Sequence, residues 1–204
     1  GKDLADLKIV PMEIGGGFGG KTVVYLEPLA VMLSEKSGRP VQMAMSREEV
    51  FRATGPASAS VARVKVGAKR DGTITAAQAW VAYEAGAFAG APYMPGAMAI
   101  FAPYELENFL VETFDVLVNK PKVAAYRAPG APQSMHAFEC ALDEIAQLID
   151  MDPIDLRLHN AADEGTQASY GPKFPPIGFK ACLQAAKDHP NYQAPVPEGA
   201  GRGV

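Results

Sequence analysis

Around residue 62 the chain alternates apolar and polar positions. Ala62, Val64, Val66 and Ala68 interleave with Arg63, Lys65 and Lys69, and a period of two puts each set on its own face of a half-buried strand. Asp71-Gly72 then supplies a two-residue turn suited to a hairpin, and a return strand is predicted from Thr73 to about Tyr83. A further strand is predicted over Val111–Val118. Elsewhere the spacing is helical. Residues 23–37 carry Val24, Leu26, Leu29, Ala30 and Leu33 three or four apart, with Gly38 as the stop. From Gln133 onward, Met135, Phe138, Leu142, Ile145 and Ile149 mark one face of a longer helix. Ser46 and Glu49 spell a capping box, and Asp152-Pro153 a cap followed by a first-turn proline. Two more strands are predicted at Leu7–Ile14, where Pro11 restricts it to an edge or bulge, and at Pro40–Ala44. Glu84–Ala99, rich in glycine, proline and alanine, reads as loop. Strands and helices in mixed order around one hairpin predict an α+β fold, with a mixed sheet and packed helices, rather than a doubly wound parallel sheet.

Composition narrows the classes. The 204 residues are 48% hydrophobic and 21% charged, which excludes a disordered chain. No apolar run is long enough to span a bilayer. A net charge of −4, from 19 basic and 23 acidic residues spread along the chain, gives no footprint for nucleic acid. Two cysteines, Cys140 and Cys182, are too few for a disulfide scaffold and place the chain by default in the reducing cytoplasm. The 20 glycines and 17 prolines point to long, shaped loops. Gly1 in place of a starting Met, and a Pro/Gly/Ala-rich stretch from residue 190 to the end, suggest a piece of a larger protein. On this reading residues 1–189 form a domain and 190–204 a linker.

Candidate chemistry gathers in two loops. The first, Gly15-Gly16-Gly17-Phe18-Gly19-Gly20-Lys21-Thr22, lies between a predicted strand and a predicted helix. Glycines let backbone N–H groups approach a ligand without Cβ interference, and a helix N-terminus favours an anion. Gly15, Gly17 and Gly20 match the dinucleotide pattern G-x-G-x-x-G, while Gly15, Gly20, Lys21 and Thr22 match the phosphate-loop pattern G-x-x-x-x-G-K-[ST]. So many glycines make double matches easy. The phosphate loop lacks a well-placed strand ending in Asp for Mg²⁺, and the dinucleotide pattern lacks its acid at the end of the next strand. A nucleotide-binding module using Gly15–Thr22 is the alternative reading. The second loop is Tyr126-Arg127-Ala128-Pro129-Gly130-Ala131-Pro132-Gln133. Its arginine, in a loop stiffened by prolines ahead of a helix, is a candidate fixed donor to an anionic or oxo ligand.

Taken together and in order, these stretches resemble the molybdenum hydroxylases, that is, the molybdopterin-binding large subunits of xanthine dehydrogenase, aldehyde oxidase and carbon monoxide dehydrogenase type. The pattern GGxFGxK is met by Gly15–Lys21. Ser46-Arg47-Glu48 meets an SR-E motif, and Glu84-Ala85-Gly86-Ala87-Phe88 an acidic-x-G-A-aromatic one. R-x-x-G-x-P-Q is met by Arg127, Gly130, Pro132 and Gln133. A series FE…D…A…DP…LR…N is met by Phe138-Glu139, Asp143, Ala146, Asp152-Pro153, Leu156-Arg157 and Asn160.

The resemblance implies an oxidoreductase that hydroxylates an aldehyde or N-heterocycle with oxygen from water. It implies a molybdenum–molybdopterin cofactor, the cytosine dinucleotide form being one the resemblance admits, with iron–sulfur clusters and FAD on other subunits or domains. Implied partners are the remainder of the large subunit, an iron–sulfur subunit and a FAD subunit, in a dimeric complex. Gly16, Gly17, Phe18, Gly19, Arg127 and Gln133 would hold the cofactor, with Phe18 and Arg127 nearest the metal. Thr22 and Pro129 stand where purine-oxidising members carry a glutamate and a stacking aromatic, so they are substrate-pocket positions that speak against a purine. The family's catalytic glutamate has no counterpart here, so no catalytic residue is assigned and the chain alone would be inactive. Glu13, Glu27 and Glu139 read as structural or surface acids. His136, His159 and His189 lack metal-ligand spacing, and Cys140 reads as a core thiol on a helix face.

Overall fold

The computed structural model describes residues 3–203. Its elements, after a short 3₁₀ turn at Leu4–Asp6, are α1 (Glu27–Ser37), α2 (Arg47–Ala53), β1 (Ser60–Ala68), β2 (Ile74–Gly86), α3 (Tyr93–Ala99), β3 (Phe109–Leu117), α4 (Ala131–Leu148), α5 (Pro153–Asn160), α6 (Phe179–Asp188) and α7 (Pro190–Gln193). The fold is α+β. One sheet has the order β1-β2-β3, with β1 and β2 antiparallel and β2 and β3 parallel. The hairpin forms where the alternation ends. Lys69 C=O accepts from Gly72 N–H at 3.0 Å, and the Asp71 carboxylate takes Thr73 N–H at 2.9 Å.

Alternation in β2 sorts its side chains cleanly. Ala77, Ala79, Val81, Tyr83 and Ala85 are buried on the face covered by α4, which packs across β1, and by α3, which packs on β3 and β2. The core is completed by Ile100, Phe101 and Tyr104 after α3, and by Phe138, Leu142 and Ala146 of α4. Phe138 meets Phe101 and Tyr104 edge to face, at 4.7 and 5.4 Å between centroids, the favoured aromatic geometry.

Several expectations are corrected. Residues 7–14 and 40–44 are not strands, because an extended segment becomes a strand only when its N–H and C=O groups find a ladder partner. Helix α1 starts at Glu27 rather than near residue 23. Glu27 captures Tyr25 N–H and Pro28 occupies the first turn, so helical bonding begins only there. Helix α3 lies inside the expected loop. Pro95 sits in its first turn, where no intrahelical donor is required, and Gly96 packs against Tyr83 so closely that a Cβ would lie 2.1 Å from its hydroxyl. Cys140 is exposed, not a core thiol, because α4 buries Ser134, Phe138, Leu142 and Ala146 and turns Cys140 outward beside His136. Within residues 190–203, α7 places the Tyr192 hydroxyl on the Asp152 carboxylate at 2.8 Å, and Arg202 lies over the Tyr192 ring. Among the described residues no helix is long and apolar enough to cross a membrane.

Candidate functional site

The glycine loop folds back on itself. Gly20 N–H donates to Gly17 C=O at 2.8 Å, Thr22 N–H and Oγ1 to Gly19 C=O at 3.2 and 2.7 Å, and the Lys21 ammonium to Ile14 C=O. Gly15 and Gly19 have φ of +63° and +100°, and between them Phe18 sits at +50°, a region a non-glycine residue rarely enters. Its carbonyl accepts Arg127 N–H at 2.7 Å. A Cβ on Gly19 would lie 2.8 Å from the carbonyl oxygen of Ala125. The two candidate loops therefore interlock. Ala128, next to Arg127, is also left-handed at +56°, so two of the three described non-glycine residues with positive φ meet at this junction. Such strain persists only where the surroundings hold it.

What holds the second loop comes from distant sequence. Tyr83 donates its hydroxyl to Gly130 C=O at 2.9 Å, and burial pushes its pKa up, keeping the phenol a neutral donor. Gly130 lies so close to Pro92 that a Cβ would fall 2.2 Å from its carbonyl oxygen. Ser134 Oγ donates to Gly96 C=O at 2.9 Å. Val123 N–H reaches Ala85 C=O at 3.1 Å and Ala124 N–H reaches Pro56 C=O at 3.0 Å. Gln133 Nε2 donates to Ser58 C=O at 3.2 Å, so it ties the first turn of α4 to the segment before β1 rather than to the arginine loop itself. Sequence reading missed Tyr83 and Ser134 as supports. No local signal could have found them, since their partners lie 47 and 38 residues away.

Gly16, Gly17, Phe18, Gly19 and Arg127 come together on one side of the molecule, with the Phe18 and Tyr126 rings exposed and their centroids 6.5 Å apart. Thr22 turns its hydroxyl inward onto the loop. Pro129 borders a cavity of about 120 Å³ shared with Gly90, Pro92, Val123, Ala124 and Ala125. Neither loop contains a carboxylate. Among the described residues, the Arg127 guanidinium has no hydrogen-bond or ion-pair partner, and the N–H groups of Gly16, Gly17, Phe18 and Gly19 have no acceptor. A permanent cation and several unpaired amides, with no competing anion, suit an anionic ligand rich in oxo or sulfur acceptors. They do not suit a nucleotide bound as in a phosphate loop. Lys21 and Thr22 are committed to backbone carbonyls, and α1 begins at Glu27 rather than at the loop, so no helix N-terminus faces a phosphate.

The FE…D…A…DP…LR…N series is scaffold. Arg157 is buried, its Nε on Glu139 Oε2 and its Nη1 on Asp143 Oδ1, both at 2.8 Å, with a further Nη1 bond to Pro153 C=O. Desolvation favours its neutral form, but the Glu139 charge and the Asp143 bond outweigh it and raise its pKa. Tyr104 donates to both Glu139 oxygens, and its burial, with the Glu139 charge, pushes its pKa far up. Asn160 Oδ1 accepts Ile74 N–H at 2.9 Å, while its Nδ2 donates to Gly72 and Leu156 carbonyls at 2.9 and 2.8 Å. Asp152 caps α5 through Ile154 and Asp155 N–H.

Comparison with known proteins gives a consistent picture. The family described as molybdopterin cofactor-binding domain matches residues 1–161. The xanthine dehydrogenase molybdenum-binding subunit of Escherichia coli O157:H7 is 31% identical over 186 residues, which are 89% of this chain and 25% of that protein. The aldehyde oxidoreductase of Megalodesulfovibrio gigas is 32% identical over 191 residues, 92% of this chain and 21% of that protein. The crystal structure of the aldehyde oxidoreductase from Desulfovibrio desulfuricans superposes with a TM-score of 0.79 at 28% identity, over 88% of this chain and 20% of that one. The chain thus spans about a quarter or less of the length of these relatives.

Proposed function

Since the chain belongs to the molybdopterin cofactor-binding domain family, we propose that it forms the first part of the cofactor domain of a molybdenum hydroxylase, an oxidoreductase that hydroxylates a small aldehyde or N-heterocycle with oxygen from water. The observation that carries this reading is the interlocked pair of loops, whose Arg127 guanidinium and Gly16, Gly17, Phe18 and Gly19 amides have no partner among the described residues. When bound, the cofactor supplies the two-electron redox chemistry. The residues of this chain bind and orient it. Amides of Gly16, Gly17, Phe18 and Gly19 would donate to its anionic acceptors, the Phe18 ring would pack near the molybdenum, and Arg127 would provide the fixed cation. Gln133 keeps α4, and with it the second loop, against the segment before β1.

Thr22 and Pro129 shape the substrate side. Neither offers a carboxylate or an aromatic face, which supports an aldehyde or simple N-heterocycle over a purine. The catalytic base comes from polypeptide outside these residues. In this reading residues 1–189 build the first half of the domain and 190–204 lead toward the remainder of the subunit. The working enzyme adds an iron–sulfur subunit and a FAD subunit, dimerises, and resides in the cytoplasm. The cytosine dinucleotide form of the pterin belongs to the same proposal.

The test is Arg127→Ala in the complete subunit. Arg127 is exposed in this chain; once cofactor and the rest of the subunit cover it, losing this charge-assisted donor would cost about 2–4 kcal/mol of transition-state stabilisation, or a rate loss on the order of 10²–10³-fold. Normal turnover at normal molybdenum content would overturn the assignment of the second loop.

A further inference from the structure

Tyr25, which no motif singles out, occupies an unusual position between the two loops. Its hydroxyl donates to Gly20 C=O at 3.1 Å and accepts Gly55 N–H at 3.1 Å. A phenol has one proton to give and lone pairs to accept with, so these two bonds use it fully and without conflict. The bond from Gly55 N–H is of ordinary length and the one to Gly20 C=O is long for an O–H···O bond, and the side chain is half-buried. Gly55 in turn lies hard against the segment that leads into the second loop. A Cβ there would sit 2.6 Å from both the Lys122 carbonyl oxygen and Ala124 Cβ, and the next residue, Pro56, accepts Ala124 N–H at 3.0 Å.

The contacts close a ring. It runs from Gly20 through the Tyr25 hydroxyl to Gly55 and Pro56, across to Ala124 and Ala125, and back to Gly19, whose α-carbon abuts the Ala125 carbonyl. The Phe18–Arg127 hydrogen bond lies beside it. Every other member of this ring is backbone or a small residue, so Tyr25 is its single long side chain. We infer that Tyr25 is a positioning residue, a strut whose hydroxyl fixes the spacing between the glycine loop and the arginine loop. The inference rests on the reading above that these loops together hold the cofactor, and it adds what sets their separation. On this inference Tyr25 acts through the loops, by its bonds to Gly20 and Gly55.

Tyr25→Phe in the complete subunit removes the hydroxyl and keeps the ring, so the fold is retained. The measurement is amide hydrogen exchange in peptides covering residues 16–22 and 122–128, with α4 as the internal reference. Loss of two hydrogen bonds should speed exchange roughly ten- to thirtyfold in both loops together, with α4 unchanged. Loosening confined to 16–22, or no loosening, would overturn the strut, because a purely local role moves only its own loop. Molybdenum content, measured in parallel, separates the two ideas. If both loops loosen and molybdenum occupancy falls, strut and cofactor reading stand together. If both loosen while occupancy and kcat stay normal, the strut stands and the placement of the cofactor between these loops is wrong.

Discussion

Gly19→Ala, compared with Gly15→Ala, isolates the contact between the two loops. Both glycines have positive φ, so in either an added Cβ costs about 1–2 kcal/mol of backbone strain, partly offset by the roughly 0.4–1 kcal/mol that alanine gains by restricting the unfolded chain. Around Gly15 nothing lies within 4 Å of the added Cβ, so the net cost stays near 1 kcal/mol or below. At Gly19 the Cβ would sit 2.8 Å from the Ala125 carbonyl oxygen and 3.0 Å from its carbon. Those are backbone atoms, which cannot rotate away, so the loops must separate. Overpacking of this kind adds about 1–3 kcal/mol, and the Phe18–Arg127 hydrogen bond is lost with it. Gly19→Ala should therefore cost about 2–4 kcal/mol locally. Its excess over Gly15→Ala corresponds to an opening of the junction on the order of tenfold to a hundredfold more frequent. Hydrogen exchange over residues 16–22 and 124–128, with molybdenum content of the complete subunit, reads the effect. If the two variants are indistinguishable, the loops do not interlock as described.

Other outcomes concern the scaffold. Arg157→Ala strands the Glu139 and Asp143 carboxylates and should cost about 2–4 kcal/mol by urea titration, the lower part of the buried-pair range because both acids retain some solvent. Arg157→Lys should recover little of this, since an ammonium cannot span the same acceptors. Asn160→Ala removes three hydrogen bonds, two of them joining the hairpin to α5, and leaves Ile74 N–H without its acceptor, a loss of about 2–4 kcal/mol in the same assay. Tyr192 has its pKa raised by burial and by the Asp152 carboxylate to about 12. A raised pKa means the folded chain holds the proton longer, so this contribution is complete below pH about 10 and disappears as pH climbs toward about 12. Tyr192→Phe should flatten that part of the stability profile, and an unchanged slope would mean the Asp152 contact is not formed.

Much of this architecture was legible where local pattern and tertiary role agree. The hairpin followed from Ala62–Ala68 alternation and Asp71-Gly72, α2 from the Ser46–Glu49 box, and α5 from Asp152-Pro153. The extent of α4 was also visible, although its buried stripe is centred on Ser134, Phe138, Leu142 and Ala146, which turns Cys140 outward. Legibility failed where packing decides. Tyr93–Ala99 has a loop composition, yet it becomes helical because Gly96 lets it settle on Tyr83 and Ser134 locks it there. Residues 7–14 have strand-like apolar content without a ladder partner among the described residues. Helix α6 escaped notice despite its amphipathic pattern, in which Leu183 faces inward. At the site, composition identified both loops. It could not reveal that the Phe18 carbonyl and the Arg127 amide join them, because that contact depends on two left-handed residues which no residue-type rule favours.

The sheet also sets the order in which this chain can assemble. β1 and β2 are neighbours through a tight turn, so their ladder closes a small loop and can form early. β3 lies parallel to β2, which obliges residues 87–108 to travel the length of the sheet before a single β2–β3 bond forms. That longer closure gains little until α3 and the aromatic residues after it have settled on the core. The arginine loop follows β3 after residues 118–125, and it reaches its place only after this slow step. The junction of the two loops is therefore among the last features to form.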